Sequence, residues 1–256
     1  MYTTRGGRIK GRIISQVGGG AVVRLAQHHT FITPDVRMRI AKAMVDAKIC
    51  NQRYLIERHR RHYPQDEYDQ AIAKINSYQM AAQSADNIDE LMGFEGVSAK
   101  TYWDCYRRML KYPDFTRRDY RPAPDYVNSA LNLGYAFLAN EITTCLAALH
   151  FDLEIGFLHS IHYGRNSLTL DIMEEFRSPF VDSWLLGLFN RRILKKEHFM
   201  GVEDGFYLNE DGFAKFISLY HEHLEQGKWR SIFRRQSDNL KKAVMESAQY
   251  RPFRCG

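Results

Sequence analysis

A histidine and a cluster of acidic residues lie close together in the second half of the chain. His159 follows a short apolar run, and Asp171, Glu174 and Glu175 come 12 to 16 residues later. Positions three and four residues apart share one face of a helix, so Asp171 could point at the same spot as Glu174 or Glu175. Carboxylate oxygens and an imidazole nitrogen are ligands for divalent cations. The spacing therefore predicts a metal site that combines a helix edge with a histidine from the preceding loop.

Each of these residues also has an ordinary structural explanation. A lone histidine after apolar residues is more often a core side chain than a ligand, and adjacent glutamates often mark an exposed helix edge. A further acid, Glu95, lies between Gly93 and Gly96, just ahead of a helix that Ser98 is expected to open. A glutamate at a helix start is often only a carboxylate that the helix dipole favours. The functional interpretation therefore depends on these segments acting together.

Basic residues predict a polyanionic partner. The net charge is +6, and arginines recur in clusters that aromatic side chains accompany. Arginine contacts phosphates and aromatic rings stack on bases, so the pattern favours nucleic acid over ordinary solvated helix faces. The candidate DNA-binding residues are Arg58, Arg61, Arg107, Arg165, Arg191 and Arg234.

Composition indicates a globular chain of the cytoplasm. Hydrophobic residues make up 45% and charged residues 26% of the 256 positions, which excludes a disordered or fibrous protein. No apolar run reaches the length of a membrane-spanning helix, and Met1 does not begin a signal peptide. The four cysteines form no CxxC pair, which predicts reduced thiols rather than a disulfide or zinc framework.

Hydrophobic periodicity predicts a mainly α fold. Short β-like runs around Gly18–Gly20 predict a hairpin over residues 1–25. Thr33 and Pro34 can open a helix that runs to about Arg61. This helix would begin an α-helical metal- and DNA-binding domain of residues 31–256. Further helices are predicted at about 65–82, 86–92, 98–111, 126–150, 168–175, 180–194, 210–225 and 230–248.

Several motifs together resemble the CRISPR-associated integrase, the larger subunit of the spacer-acquisition complex. They are Phe94-Glu-Gly, Gly156-Phe-Leu-His159, Gly164 through Asp171, and Met173-Glu-Glu-Phe-Arg177. Supporting matches are Ala41 through Arg53 for the first long helix, Arg121 through Asn128 for a proline-led central helix, and Tyr250-Arg-Pro-Phe253 for the ending. The motifs occur in the family's order over about residues 8–254.

The resemblance assigns roles to individual residues. It implies that Glu95, His159 and Glu174 are the ligands of Mn²⁺ or Mg²⁺. Asp171 matches a further acidic position of the catalytic site, and Arg177 matches a basic position that faces the scissile phosphate. Asn128, Tyr163 and Arg165 match motif positions at which structural support is as good an explanation as catalysis. The resemblance also implies that residues 1–30 are the remnant of an N-terminal β domain with a linker. The family's β domain is considerably longer than residues 1–25, which bears on dimerisation and partner docking.

The resemblance also implies a reaction and partners. The expected activity is metal-dependent insertion of spacer DNA into a CRISPR array by attack of a 3′-hydroxyl on a phosphodiester. The expected partners are double-stranded and branched DNA, a second copy of the chain, and a small ferredoxin-like adaptation subunit. Three alternatives stay open at this level: a metal-dependent DNA nuclease, a transposon-type integrase of the same superfamily, and a catalytically silent DNA-binding scaffold.

Overall fold

The computed structural model describes residues 2–3, 9–11, 20–111, 114–120, 122–203 and 205–255. Within these ranges the chain is mainly helical. The helices are α1 Gly20–Ile32, α2 Pro34–Arg60, α3 Asp66–Ser84, α4 Ile88–Met109, α5 Tyr126–Ala148, α6 Ser167–Phe176, a π-helical segment Arg177–Asp182, α7 Ser183–Asn190, a 3₁₀ turn Lys196–His198, α8 Glu210–Gln226 and α9 Trp229–Glu246. Two antiparallel pairs complete the fold: β1 Tyr2–Thr3 with β2 Ile9–Gly11, and β3 Phe199–Val202 with β4 Gly205–Leu208.

Helix α2 is the element around which the functional region is organised. Pro34 stands in its first turn after an extended Thr33, as the sequence predicts. Its apolar positions Ile40, Met44 and Ala47 are buried, since spacings of three and four residues place them on one face. Helix α2 contacts α3, α4, α6 and the π-helical segment. Residues in the middle of α2 are therefore positioned beside the elements that carry the predicted site.

The N-terminal region differs from the predicted hairpin. β1 pairs with β2, but Ala21–Leu25 lies inside α1 and not in a strand. The buried positions Val23, Gln27 and Thr30 recur at helical spacing, which fits one face of a helix and not a strand. Arg8 and residues 12–14 of the predicted first strand lie outside the described residues.

The segment around Glu95 is also different from its prediction. Helix α4 runs without a break through Gly93 and Gly96, and Ser98 is buried within it. The helix begins instead at Asn87, whose side chain accepts a hydrogen bond of 2.9 Å from the Glu90 amide. An isolated glycine weakens a helix by only about 1 kcal/mol, which the packing of α4 against α2 and α3 outweighs.

Two features between α6 and α8 were not predicted. The chain passes from α6 to α7 through the π-helical segment, which contains Pro179. Proline lacks an amide hydrogen and cannot continue a regular helix, so a local widening is its physical consequence. The β3–β4 hairpin packs on the segment before α5, where the Phe206 amide donates to the Ala123 carbonyl at 3.1 Å. Gly205 has a φ of +111°, which disfavours other residues.

No helix among the described residues combines the length and the apolar character needed to cross a bilayer. The four cysteines are free thiols, and Cys105 is the buried one among them.

Candidate metal and DNA site

Two of the predicted metal ligands meet at a lysine that the sequence analysis did not single out. Lys48 of α2 contacts the carboxylate of Glu95 on α4, and its Nζ lies 2.5 Å from Oε2 of Glu174 on α6. The three side chains are only 13%, 18% and 5% exposed, respectively. Lys48 lies four residues after the buried Met44, so it is on the same face of α2. A lysine on the core-facing side of a helix is unusual, and that was the signal in the sequence that could have identified it.

Arg177 supports the same carboxylate from the other side. Its Nε donates to Oε1 of Glu174 at 2.8 Å, and its guanidinium carbon lies 4.5 Å from the ring centroid of Tyr135. The guanidinium is therefore held both by a charged hydrogen bond and by an aromatic face. Glu174 is therefore held directly by α2 and by the π-helical segment. Helix α5 supplies Tyr135, which supports Arg177.

The charges in this cluster stabilise one another. Burial would raise the pKa of Glu174, but the cations of Arg177 and Lys48, with a smaller contribution from His159, lower it to about 2. Burial would lower the pKa of Lys48, but the carboxylates of Glu174 and Glu95 raise it above its ordinary value. Glu174 therefore stays ionised and Lys48 stays cationic at neutral pH.

His159 is oriented by Asp171, which is completely buried. The Asp171 carboxylate accepts the amides of Phe157, Leu158 and His159 at 2.5, 3.0 and 2.9 Å. It also lies 2.7 Å from Nδ1 of the His159 ring. A carboxylate in contact with Nδ1 favours the tautomer with the proton on that nitrogen. Nε2 then carries a lone pair that is free to bind a metal ion. Asp171 therefore positions His159 from beneath and does not itself reach the surface of the site.

Gly156 permits this arrangement. A Cβ atom at this position would lie 2.6 Å from Oδ2 of Asp171 and 3.0 Å from the backbone carbon of Ser167. The loop that carries His159 can approach α6 this closely only where the side chain is absent.

The structure brings two of the predicted ligands, Glu95 and Glu174, to one point without forming a closed metal cage. Among the residues that the structure describes, no three His, Cys, Asp or Glu side chains are grouped closely enough to share an ion. Glu95 and Glu174 do share one cation, the Lys48 ammonium. A positive charge on His159 would lower the pKa of Glu174, in the same direction as Arg177 and Lys48 and against the effect of burial.

Glu175 does not join this group, so the prediction that it could share a spot with Asp171 is wrong. Its carboxylate contacts the Tyr250 hydroxyl and accepts the Phe253 amide at 2.7 Å. Burial raises the pKa of Glu175 to about 8, since these two hydrogen bonds offset it only in part. Adjacent helical residues point in different directions, and Glu175 therefore anchors the C-terminal segment.

Two of the three motif residues that had two explanations make structural contacts. The Asn128 side chain accepts from Arg118 at 2.8 Å and donates to the Arg117 carbonyl at 2.9 Å, which holds the loop before α5. Arg165 contacts the Ser160 carbonyl within the loop of His159. Tyr163 is fully exposed.

The candidate DNA-binding arginines are distributed over several elements. Arg165 is half-buried in the loop of His159, whereas the other five are exposed: Arg58, Arg61, Arg107, Arg191 and Arg234. Arg118 is not among these candidates, but it lies near the same tyrosine as Arg177. Its guanidinium carbon lies 4.3 Å from the Tyr120 ring centroid and 5.3 Å from the Tyr135 ring centroid.

Comparisons with known proteins agree with these motifs. The family model described as CRISPR associated protein Cas1 matches residues 1–222. A relative from Thermus thermophilus, named CRISPR-associated endonuclease Cas1 1, is 34% identical over 84% of this chain and 68% of its own length. A solved Cas1 protein from Thermotoga maritima superposes with a TM-score of 0.82 at 26% identity, over 95% of this chain and 77% of that chain. The structure titled "Partial Cas6-RT-Cas1--Cas2 complex" has the same fold, with a TM-score of 0.85 at 21% identity over 98% of this chain and 79% of that chain. This chain therefore belongs to the family of CRISPR-associated Cas1 proteins.

Proposed function

We propose that this Cas1 protein is a metal-dependent DNA integrase of CRISPR adaptation. In this reaction the 3′-hydroxyl of a spacer DNA attacks a phosphodiester of the array, and one phosphodiester bond forms as another breaks. The observation that carries the proposal is the convergence of Glu95 and Glu174 on one cation, with His159 held beside them. The endonuclease name of the Thermus relative supports the same class of chemistry.

The residues fit a divalent ion. Oε2 of Glu174 is buried, and the group that contacts it is already a cation, the Lys48 ammonium, whose Nζ lies 2.5 Å away. Two carboxylates and one imidazole nitrogen are a suitable donor set for Mn²⁺ or Mg²⁺, and Glu95, Glu174 and Nε2 of His159 would provide it. When bound there, such an ion would supply Lewis acidity toward the phosphate and the attacking hydroxyl.

The remaining side chains have separable roles. Asp171 keeps the proton on Nδ1 of His159 and so keeps Nε2 available. Arg177 holds Glu174 and keeps its own positive charge, which would offset the charge that develops on the phosphate. The exposed arginines would bind the DNA backbone, which makes affinity dependent on salt.

We infer that the working assembly contains DNA, a second copy of the chain and the small Cas2-type subunit. The presence of Cas1 and Cas2 in one solved complex of the same fold supports this inference. Pull-down of the small subunit by this chain, with and without branched DNA, tests it.

Hydrolytic cutting of DNA by the same site is the second candidate, since the Thermus relative is named an endonuclease. A gel assay on branched and linear DNA separates the two. Joined strands are the product of the integrase, whereas simple shortened strands are the product of a nuclease.

The test of the proposal is His159→Ala in a strand-transfer assay with Mn²⁺. We expect the loss of joined products with nearly unchanged DNA affinity, because the substitution removes a predicted ligand and leaves the arginines in place. His162→Ala, in the exposed part of the same loop, is the matched control. Unchanged strand transfer by His159→Ala would reject the assignment.

A further inference from the structure

Lys48 occupies the position at which two predicted metal ligands meet. It is the one cationic side chain in the described part of the structure that contacts both Glu95 and Glu174. Arg177 contacts Glu174 alone, through the other carboxylate oxygen. The Lys48 ammonium therefore lies where a cation shared by the two carboxylates would lie.

The charges of this cluster balance without any added ion. Glu95 and Glu174 contribute two negative charges, and Lys48 and Arg177 contribute two positive charges, in a region where all four side chains are less than one-fifth exposed. A divalent ion added beside the Lys48 ammonium would leave an excess of positive charge in a poorly solvated site. An uncompensated charge in a buried ionic group is costly, so the lysine and the ion are expected to compete for the two carboxylates.

We propose that Lys48 is a built-in cation that holds Glu95 and Glu174 in the metal-free protein and gives way when a divalent ion binds. This inference rests on the proposed metal-dependent function. Lysine is suited to the role because its ammonium is a compact charge on a flexible four-carbon stem that can change rotamer, whereas the rigid guanidinium of Arg177 remains on Glu174.

Oε2 of Glu174 shows which atom the two cations would share. It is buried, and Nζ of Lys48 lies 2.5 Å from it. A divalent ion that prefers carboxylate oxygen could take the place of the ammonium at this atom. Lys48 is a positioning residue in this scheme, since it keeps the ligands apart and aligned until the ion arrives.

The experiment is a titration of the Lys48→Met variant and of the unchanged protein with Mn²⁺. The electron paramagnetic resonance signal of free Mn²⁺ measures how much of the ion is bound. We expect the variant to bind Mn²⁺ about tenfold more tightly than the unchanged protein or better, because the competing charge is gone. The metal-free variant should unfold at a lower temperature, since two carboxylates then lie together without their cation, and Mn²⁺ should raise its unfolding temperature more. Lys42→Met on the same helix, where Nζ donates to the Gln83 carbonyl at 2.7 Å, should change neither value.

The outcomes separate the inference from the function. Equal or weaker Mn²⁺ binding by Lys48→Met overturns the inference about Lys48. If the unchanged protein binds Mn²⁺ in the same experiment, the proposed function still stands. Absence of Mn²⁺ binding by both proteins overturns both proposals.

If Lys48→Met does not fold, crystals of the unchanged protein grown with and without Mn²⁺ decide the question. We expect Nζ of Lys48 to leave both carboxylates in the loaded crystal. An ammonium that stays within 4 Å of Glu95 and Glu174 beside the bound ion overturns the proposal.

Discussion

At the scale of single residues, Asp171 shows how a buried carboxylate positions a second side chain. It is completely buried and accepts three backbone amides, so it has little freedom to move. Its remaining contact is Nδ1 of His159. The position of the His159 ring therefore depends on a residue that is itself fully buried.

We expect Asp171→Asn to weaken Mn²⁺ binding by roughly 10- to 100-fold, as substitutions beneath a metal ligand commonly do. An amide group offers one acceptor oxygen in place of two, and its NH₂ group would face a backbone donor of the His159 loop. The measurement is a Mn²⁺ titration together with the nitrogen chemical shifts of the His159 ring, which report its tautomer.

The matched control for that variant is Asp152→Asn. Asp152 also accepts a backbone amide in the same loop, that of Glu154 at 3.0 Å, but it does not contact His159. Unchanged Mn²⁺ affinity and an unchanged tautomer in Asp171→Asn would show that Asp171 has only a structural role.

At the scale of elements, the π-helical segment links the site to the core. Arg177 lies at its start and Asp182 at its end. Tyr135 connects them, because its ring lies under the Arg177 guanidinium and its hydroxyl donates to Asp182 at 2.5 Å. Tyr102 donates to the second carboxylate oxygen at 2.7 Å. The widened turn thus places one end at the site and fastens the other inside the protein.

Asp182 gives this segment a measurable pH dependence. Burial raises its pKa from 3.8 to about 6, although the hydrogen bonds from Tyr135 and Tyr102 act in the opposite direction. The folded protein therefore binds this proton more tightly than the unfolded chain does. The contribution of Asp182 to stability is fully present below about pH 4 and is lost as the pH rises through about 6.

We expect Asp182→Asn to remove that contribution. The free energy of unfolding of the unchanged protein, relative to the variant, should be higher at pH 5 than at pH 7.5 by about 1 kcal/mol, which is part of a total of about 3 kcal/mol over the full window. Urea unfolding at the two pH values measures it, and Asp86→Asn at an exposed position is the control. A difference between Asp182→Asn and the unchanged protein that is the same at both pH values would contradict the assignment.

At the scale of the whole molecule, the positive charge is spread over several exposed surfaces. Arg58 and Arg61 lie at the C-terminal end of α2, where Lys111 also lies close to Tyr63. Helix α2 therefore carries Lys48 of the candidate site in its middle and an exposed basic surface at its end.

We expect the double substitution Arg58→Ala and Arg61→Ala to lower the slope of log affinity for double-stranded DNA against log salt by about 1 to 2, because each phosphate contact contributes about 0.9. Fluorescence anisotropy at several salt concentrations measures the slope. Lys74→Ala, at an exposed position of α3, serves as the control. A slope that the double variant leaves unchanged would exclude this surface from the DNA contact.

Much of the helical architecture could be predicted from local pattern. Helix α2 begins at Pro34 and ends near the predicted Arg61 because apolar spacing and the proline act within a few residues of each other. The same local logic failed at Gly93 and Gly96, where packing of α4 against α2 and α3 carries the helix through. It also failed at Ala21–Leu25, where an apolar run suits a strand and a helix equally.

The sequence by itself determined the family, because motifs in a fixed order are a property of the chain. The same motifs predicted Glu95, His159 and Glu174 as the metal ligands. Only the tertiary structure decided which neighbours these residues have. Lys48 lies between Glu95 and Glu174, and Glu175 turns away to the C-terminal segment. The physical reason is that successive helical side chains point in different directions, and three helices distant in the sequence must pack before any two carboxylates can share one cation.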